Sequence, residues 1–560
     1  GQPLNGKDKL RRNDFGYSIG GPILKDKLFF FFNEEWNRTI NGFTKTDCVA
    51  TAAEAAGDFT QTYGTVSGSS TASAGCNEPQ PTFADGSHRL ATVDKAGALL
   101  AQYYPTPNLP LSAGGNNWSE SLPTFVKYRQ ENVRIDYNVT PRNTVMGRYT
   151  QDSWADPSYN GNQYWGDTDY PAINSNWAQP AKQVIGRWTS TITSTLVNDA
   201  EFSYSNNRIN LTPGGSNPGL LQQLNTAIPT LYPTSDKNNK AGSIPTIWGG
   251  LGNYGNNQNL ETIAPWNNLE NLYNVRDDVS FVKGKHQFKA GVLIGINEKD
   301  EDAGPSASEH PTFSTADYQV DTTHGGYRTG NNLANVLIPL NPFTLTETSQ
   351  NVRAFLDWRD YEFYVGDVWK ITPRMTLSYG FRWSFLRTPY QPNGAETSFQ
   401  PSLYVASRPA SDACNGLWYV PGKPSPCTAA NSQFGTSFSA GTPGPNKYLV
   451  NQNNHLIAPR VGIAFDVLGN GMTALRFGGG EFYQRERVSR YTLETNAPFA
   501  VTTSNYSRAL TGPTPASLAG GSASPSGGFD AANTVPSTWQ YNVAVEQQLA
   551  KNTTFQIGYV

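Results

Sequence analysis

The four cysteines fall into two distant pairs, Cys48 with Cys76 and Cys414 with Cys427, each in a stretch rich in Gly, Ser, Thr and Pro. A thiol can bridge, hold zinc or act as a nucleophile. Zinc would need tighter spacing and nearby histidines, and none of the five histidines accompanies these cysteines at ligand spacing. Four cysteines allow three pairings. Local pairing, Cys48–Cys76 and Cys414–Cys427, is the natural choice because each loop then closes on itself in an oxidising compartment. Free thiols are the alternative.

The other reactive groupings resolve into plainer readings. Glu298, Asp300, Glu301 and Asp302 could offer carboxylate oxygens to calcium, but the spacing fits no calcium loop and Lys299 interrupts it. His310, His324 and His455 lie near carboxylates such as Glu309 and Asp321, the raw material of a general base or a metal site. Gly478-Gly479-Gly480 lacks the Lys-Ser/Thr of a phosphate loop and reads as strand glycines beside Phe477, Phe482 and Tyr483. No nucleophile elbow, His-Glu-x-x-His or placed carboxylate pair is present. The chain therefore reads as no enzyme, with no cofactor and no metal. Trp154, Trp165, Trp177, Trp248 and Trp418 could stack on a sugar or a peptide, or pack the loops on themselves.

The elements that carry these residues repeat. Two alternating runs joined by a tight turn, then a long polar loop, recur seven times. The turns are Ile23–Lys27, Thr140–Thr144, Thr193–Leu196, Lys283–His286, Thr372–Arg374, Leu468–Gly471 and Ala550–Asn552. A weaker eighth unit joins Thr312–Val320 to Phe343–Ser349. Between them Asn332–Leu340 has Leu333, Val336 and Leu337 at helical spacing, and it reads as a turn helix on the tight-turn side. The sum is about sixteen strands. Short turns at one end and long loops at the other mark an antiparallel transmembrane β-barrel.

The runs are two-faced. Val133, Ile135, Tyr137 and Val139 alternate with Arg134, Asp136 and Asn138; Val292 and Ile294 fall opposite Lys289. Period two sends each set to one sheet face. The apolar set should face lipid, and Arg134, Asp136 and Lys289 a lumen. Asp14–Pro22 with Leu28–Ile40, and Arg359–Ile371 with Met375–Arg387, exceed the strand length usual in globular sheets.

Composition agrees. Only 37% of the 560 residues are hydrophobic and mean hydropathy is −0.51, as expected when every second strand position is polar. Aromatics reach 12%, enough for interfacial girdles. No run approaches the ~18 apolar residues of a membrane helix. A net charge of −3 argues against nucleic acid as a partner. The chain starts without Met and ends within an apparent strand at Val560, so it reads as a piece of a longer protein.

Several stretches resemble the barrel of TonB-dependent outer-membrane receptors, specifically the Oar-like group. Arg11-Arg12-Asn13-Asp14-Phe15-Gly16, Gly20-Gly21-Pro22-Ile23, Lys25-Asp26-Lys27 and Phe29-Phe30-Phe31-Phe32 resemble its opening hairpin. Ala52-Ala53-Glu54-Ala55-Ala56-Gly57-Asp58-Phe59 and Tyr104-Pro105-Thr106-Pro107-Asn108 resemble the ends of its first long loop. Lys283-Gly284-Lys285-His286, Phe288-Lys289-Ala290-Gly291, Thr376-Leu377-Ser378-Tyr379-Gly380-Phe381-Arg382 and Ala458-Pro459-Arg460-Val461-Gly462 fit later hairpins. The resemblance implies about twenty-two strands, a plug, and a segment that reaches the TonB complex. On this reading residues 1–560 are a partial barrel domain, without plug or last strands, whose terminal strands leave unpaired edges. The implied function is TonB-dependent uptake of a bulky ligand, an oligosaccharide or a peptide, across the bacterial outer membrane and in contact with its lipid. The alternative is a surface-anchored binding or adhesion protein without transport.

Overall fold

The structure is a computed structural model. It describes residues 10–42, 44–62, 80–110, 117–121, 124–158, 170–172, 174–229, 246–248, 264, 266–302, 312–314, 320–348, 353–410, 412–428, 438–493, 496–499, 502–512 and 527–560. Fifteen strand segments form one antiparallel sheet. Two of them, Asn174–Ala178 and Ala181–Thr193, share both neighbours and form one strand broken at Gln179-Pro180. Among the described residues the wall thus has fourteen strands.

In chain order these are β1 (Leu10–Leu24), β2 (Leu28–Asn41), β3 (Thr124–Thr140), β4 (Asn143–Ser158), β5 (Ala181–Thr193, extended by Asn174–Ala178), β6 (Leu196–Gly214) and β7 (Trp266–Lys283). There follow β8 (His286–Asp302), β9 (Ala354–Thr372), β10 (Met375–Leu386), β11 (Leu456–Asp466), β12 (Thr473–Tyr483), β13 (Ser537–Ala550) and β14 (Thr553–Tyr559). Each pairs with the next. All seven expected tight turns lie at one end and every long connection at the other. Among the described residues β1 pairs only with β2 and β14 only with β13.

The register joins the apolar positions into continuous rows. Val133 faces Phe32 and Tyr149; Tyr149 faces Val184, Val184 faces Tyr204, and Tyr204 faces Tyr273. Ile294 and Val292 continue beside Tyr361 and Phe363. Paired residues in an antiparallel sheet share a face, so these rows are one surface. Ile135 and Phe363 are 37% and 45% exposed on it, as side chains turned to lipid must be. Arg134, Asp136 and Lys289 lie on the other face. β6 and β9 each run 19 residues. At about 3.3 Å per residue and about 40° tilt they rise nearly 50 Å, well beyond an apolar band about 25 Å tall.

The eighth hairpin is not part of the wall. Thr312–Ser314 and Pro342–Thr348 pair with each other in a separate four-stranded sheet that also holds Thr246–Trp248 and Thr502–Ala509. The helix is real, spanning Asn332–Leu337 (α4 below), but it sits on the long-loop side. All six of its residues are buried, so its apolar positions reported burial in a second core and not a turn beneath the barrel.

Candidate ligand path and loop cap

The long loops fold together. Three other helices stand with α4 (Asn332–Leu337): α1 (Ala52–Ala55), α2 (Lys95–Ala101) and α3 (Pro218–Ala227). Leu99, Leu100, Tyr103, Leu220, Leu224, Leu333, Val336, Phe343 and Leu510 share one apolar cluster, drawn from separate loops. Asp94 caps α2, accepting from the amides of Ala96 at 2.9 Å and Gly97 at 3.1 Å. Its own amide donates to the Leu337 carbonyl at 2.8 Å. A Cβ on Gly97 would fall on the Val336 carbonyl oxygen, so only glycine lets α2 press against α4.

Beneath the cap, the polar face of the wall carries a ladder of ions. Arg187 Nε donates to Glu201 at 2.8 Å, and Arg276 reaches Glu201 at 3.4 Å and Asp278 at 3.7 Å. Lys289 lies 3.6 Å from Asp278, and Arg382 pairs with Glu362 at 2.5 Å. Solvated pairs of this kind contribute about 0–1 kcal/mol each; they set the polarity of the face more than its stability. Tyr364 crosses the ladder. Its register partner is Gly291, whose other neighbour is Asp278. The Tyr364 hydroxyl donates to Asp278 Oδ1 at 2.6 Å. A Cβ on Gly291 would lie 2.6 Å from the Tyr364 ring and on the Asp278 carboxylate, so the glycine makes room for the ring to lie across the strand. A cavity of about 610 Å³ opens here, lined by Arg276, Lys289, Tyr364, Arg382 and Arg460. The polar face is therefore concave and cation-rich, and the Asp278 carboxylate joins Arg276, Lys289 and Tyr364.

The residues singled out from sequence take the following places. Cys414 and Cys427 are bonded, with Cα atoms 6.1 Å apart, inside a small core with Leu417 and Ala497. Cys48 is disulfide-bonded; Cys76 lies outside the described residues. Trp154 and Trp177 meet edge to face at 5.6 Å, in a cluster with Leu211 and Ala264. Trp418 packs beside Val420, Leu449 and Leu493. Trp165 lies outside the described residues, and Trp248 ends a strand of the loop sheet whose side chains are not described. Asp300 is paired with Arg353, and Lys299 lies 3.2 Å from Glu270 and 3.0 Å from Glu301. Of the acids at the top of β8, Asp300 and Glu301 are thus in ion pairs. His324 Nδ1 lies 2.6 Å from Asp321; His310 lies outside the described residues, and His455 adjoins the start of β11. No group of three metal-ligating side chains occurs among the described residues. Asp321 titrates well below the usual carboxylate range because the Thr323 hydroxyl, then Ser507 and His324, stabilise its charge. Asp58 is lowered to about 2 by Arg89 first and by Thr60 next.

Sequence reasoning found Lys289 but not its partners Asp278 and Tyr364, nor the Arg382–Glu362 pair beside them. The available signal was glycine at positions such as Gly291 and Gly366 on the polar side of strands that otherwise carry bulky residues.

The sequence matches the family described as Outer membrane beta barrel domain over residues 2–560. The chain belongs to that family. The barrel domain thus sits in the bacterial outer membrane, tight turns inside and cap outside. No curated protein matches it significantly. Among solved structures it is similar to the outer membrane transporter YddB from Escherichia coli, at 8% identity and TM-score 0.45, covering 97% of this chain and 45% of that one. It is also similar to the ferric enterobactin receptor PfeA from Pseudomonas aeruginosa, at 9% identity and TM-score 0.42, covering 99% and 50%. A third is the siderophore receptor PirA from Acinetobacter baumannii, at 9% identity and TM-score 0.33, covering 97% and 59%. The barrel domain spans about half the length of the first two.

Proposed function

We propose that this barrel domain belongs to a TonB-dependent receptor that takes up a bulky ligand, an oligosaccharide or a peptide, through a plugged lumen. The observation that carries the reading is the concave polar wall with its cavity of about 610 Å³, roofed by loops that share one core. A protein that only anchors a binding surface needs the roof and the apolar rows, but not a charged path behind them. The motifs shared with the Oar-like group support the TonB requirement. Among the described residues β1 and β14 each have one neighbour, which supports a larger wall, because lipid cannot satisfy an open edge's backbone groups. On this reading further strands and a plug complete the barrel, and the domain has no enzymatic role.

The test uses the full-length protein in cells with and without a working TonB complex. Labelled mixtures of oligosaccharides and of peptides are offered, and surface-bound and internalised label are separated by protease or glycosidase stripping. Internalisation that vanishes without TonB is expected. Surface binding that is indifferent to TonB, with nothing internalised, would replace transport by adhesion.

A further inference from the structure

The lumen face of the wall carries six arginines at one level. Counted along each strand from its tight turn, Arg148 stands five residues up, Arg134, Arg187 and Arg460 six, and Arg276 and Arg382 seven. At about 3.3 Å per residue and about 40° of tilt that is a rise of about 13–18 Å. The belt therefore runs through the middle of the wall, across β3, β4, β5, β7, β10 and β11. Four of its members have carboxylates: Arg134 has Asp136, Arg187 has Glu201, Arg276 has Glu201 and Asp278, and Arg382 has Glu362. Arg148 and Arg460 have none among the described residues. Arg148 is paired in register with Arg134, and like charges set directly opposite repel. Its guanidinium is held by Gln183 at 2.7 Å, and its Nε is buried with no hydrogen-bond partner. The Arg460 guanidinium lies over the Phe482 ring at 4.6 Å. Both charges are thus fixed by neutral groups and left uncompensated.

Beside Arg460 the wall is bare backbone. The register row Lys289–Gly366–Gly380–Arg460 crosses β8 to β11, so a cation stands at each end of two glycines. Three strand spacings of about 4.8 Å make that row about 14 Å long. Glycine inside a strand marks a place where a ligand or another backbone comes close, and this row forms part of the cavity of about 610 Å³. Gln287 and Ser378 line the same cavity and can exchange hydrogen bonds with hydroxyl groups.

We propose that the belt selects an acidic oligosaccharide, one whose sugars carry carboxylates, as the ligand that passes along this wall. The inference rests on the transport reading above and narrows its ligand. A guanidinium fork binds a carboxylate through two parallel hydrogen bonds, and no carboxylate of the described residues fills that role at Arg148 or Arg460. The bare row admits a sugar ring against the backbone, Lys289 and Arg460 stand far enough apart to hold acids on separate sugars, and Gln287 and Ser378 meet the hydroxyls. An acidic peptide fits less well. Its backbone amides and carbonyls need partners, and β8 to β11 each have a neighbour on both sides, so no open edge is there to supply them.

The experiment follows uptake by the full-length protein in cells with a working TonB complex. The probes are a labelled mixture of uronic-acid oligosaccharides, the same mixture after methyl esterification, which removes its charge, and a labelled mixture of acidic peptides. The acidic sugars should be internalised at least tenfold faster than their esters and than the peptides. The double variant Arg148→Gln, Arg460→Gln should lose that preference, while Arg12→Gln, on the lumen side of β1 and above the belt, should keep it. Equal uptake of sugars and esters, faster uptake of the peptides, or an undiminished preference in the double variant overturns the proposal and leaves transport standing. No uptake of any probe overturns the transport reading, and the proposal with it. The comparison of probes on the unaltered protein decides the matter even if the double variant fails to fold.

Discussion

The Thr511 hydroxyl donates to the Asp94 carboxylate at 2.8 Å across 417 residues of chain. Asp94 also caps α2, so one side chain ties the last long loop to the first. Asp94→Ala should remove a cap worth about 1 kcal/mol and the bond to Thr511 together. Limited proteolysis of the intact protein should then cut near residues 500–512 several-fold faster, while the heat-modifiability of the barrel stays unchanged. Loss of the barrel itself would mean that the cap supports the wall.

Gly291 is the second test. Gly291→Val should force Tyr364 off Asp278 and cost about 1–3 kcal/mol by overpacking. Tyr364→Phe should cost about 1.5–3 kcal/mol, the net worth of one hydrogen bond to a charged group. Urea-induced unfolding in lipid bilayers measures both. A harmless valine would show that the ring need not cross the strand.

The facing of β3 is checked by a charge swap. Ile135 stands five residues above Thr140, near mid-band by the same rise and tilt. Ile135→Arg should cost about 2–4 kcal/mol of bilayer stability, and Arg134→Ile, on the lumen side, less than about 1 kcal/mol. The reverse order would shift the register by one residue.

The cysteines call for a chemical test. Non-reducing peptide mapping should recover Cys414 linked to Cys427 and Cys48 linked to Cys76. Cys427→Ser should free a loop whose closure is worth about 3 kcal/mol, seen as faster proteolysis between residues 414 and 440. A crosslink between the two distant pairs would break this assignment.

Acid should act on the first loop at an unusually low pH. The folded Asp58 carboxyl is lowered to about 2 from 3.8. A group so depressed contributes fully above its unfolded value and loses that contribution as pH falls through its folded one. The Leu90 amide donates to the Gly57 carbonyl at 2.9 Å beside the Asp58–Arg89 pair. Its hydrogen-exchange protection should hold at pH 4 and fall away towards pH 2. Asp58→Asn should flatten that change.

The wall was legible because its information is local. Val133 to Val139 announces two faces within seven residues, and a turn such as Lys283–His286 follows from its own composition. The cap was not, because its information is distant. Leu333, Val336 and Leu337 say that one side of a helix is buried, yet nothing near them says that Gly97 is what they meet. Thr312–Ser314 and Pro342–Thr348 do pair, but the other neighbour of Pro342–Thr348 is Thr502–Ala509, more than 150 residues further on. Tyr364 and Asp278 share the difficulty: each strand was read correctly, while the bond between them depends on two registers at once.

The core beneath the loops also dictates an order of events. Its members come from loops hundreds of residues apart, and each loop closes only when the strands on either side have paired. Such distant closures are entropically costly for a free chain and slow to form. The wall removes that cost by anchoring both ends of every loop on one rim. The outward surface should therefore be the last part of the molecule to mature, after insertion, and until then its apolar clusters are exposed to chaperones and proteases on the inner side of the membrane. Sequence change in the cap would accordingly be felt in yield before it is felt in the finished barrel.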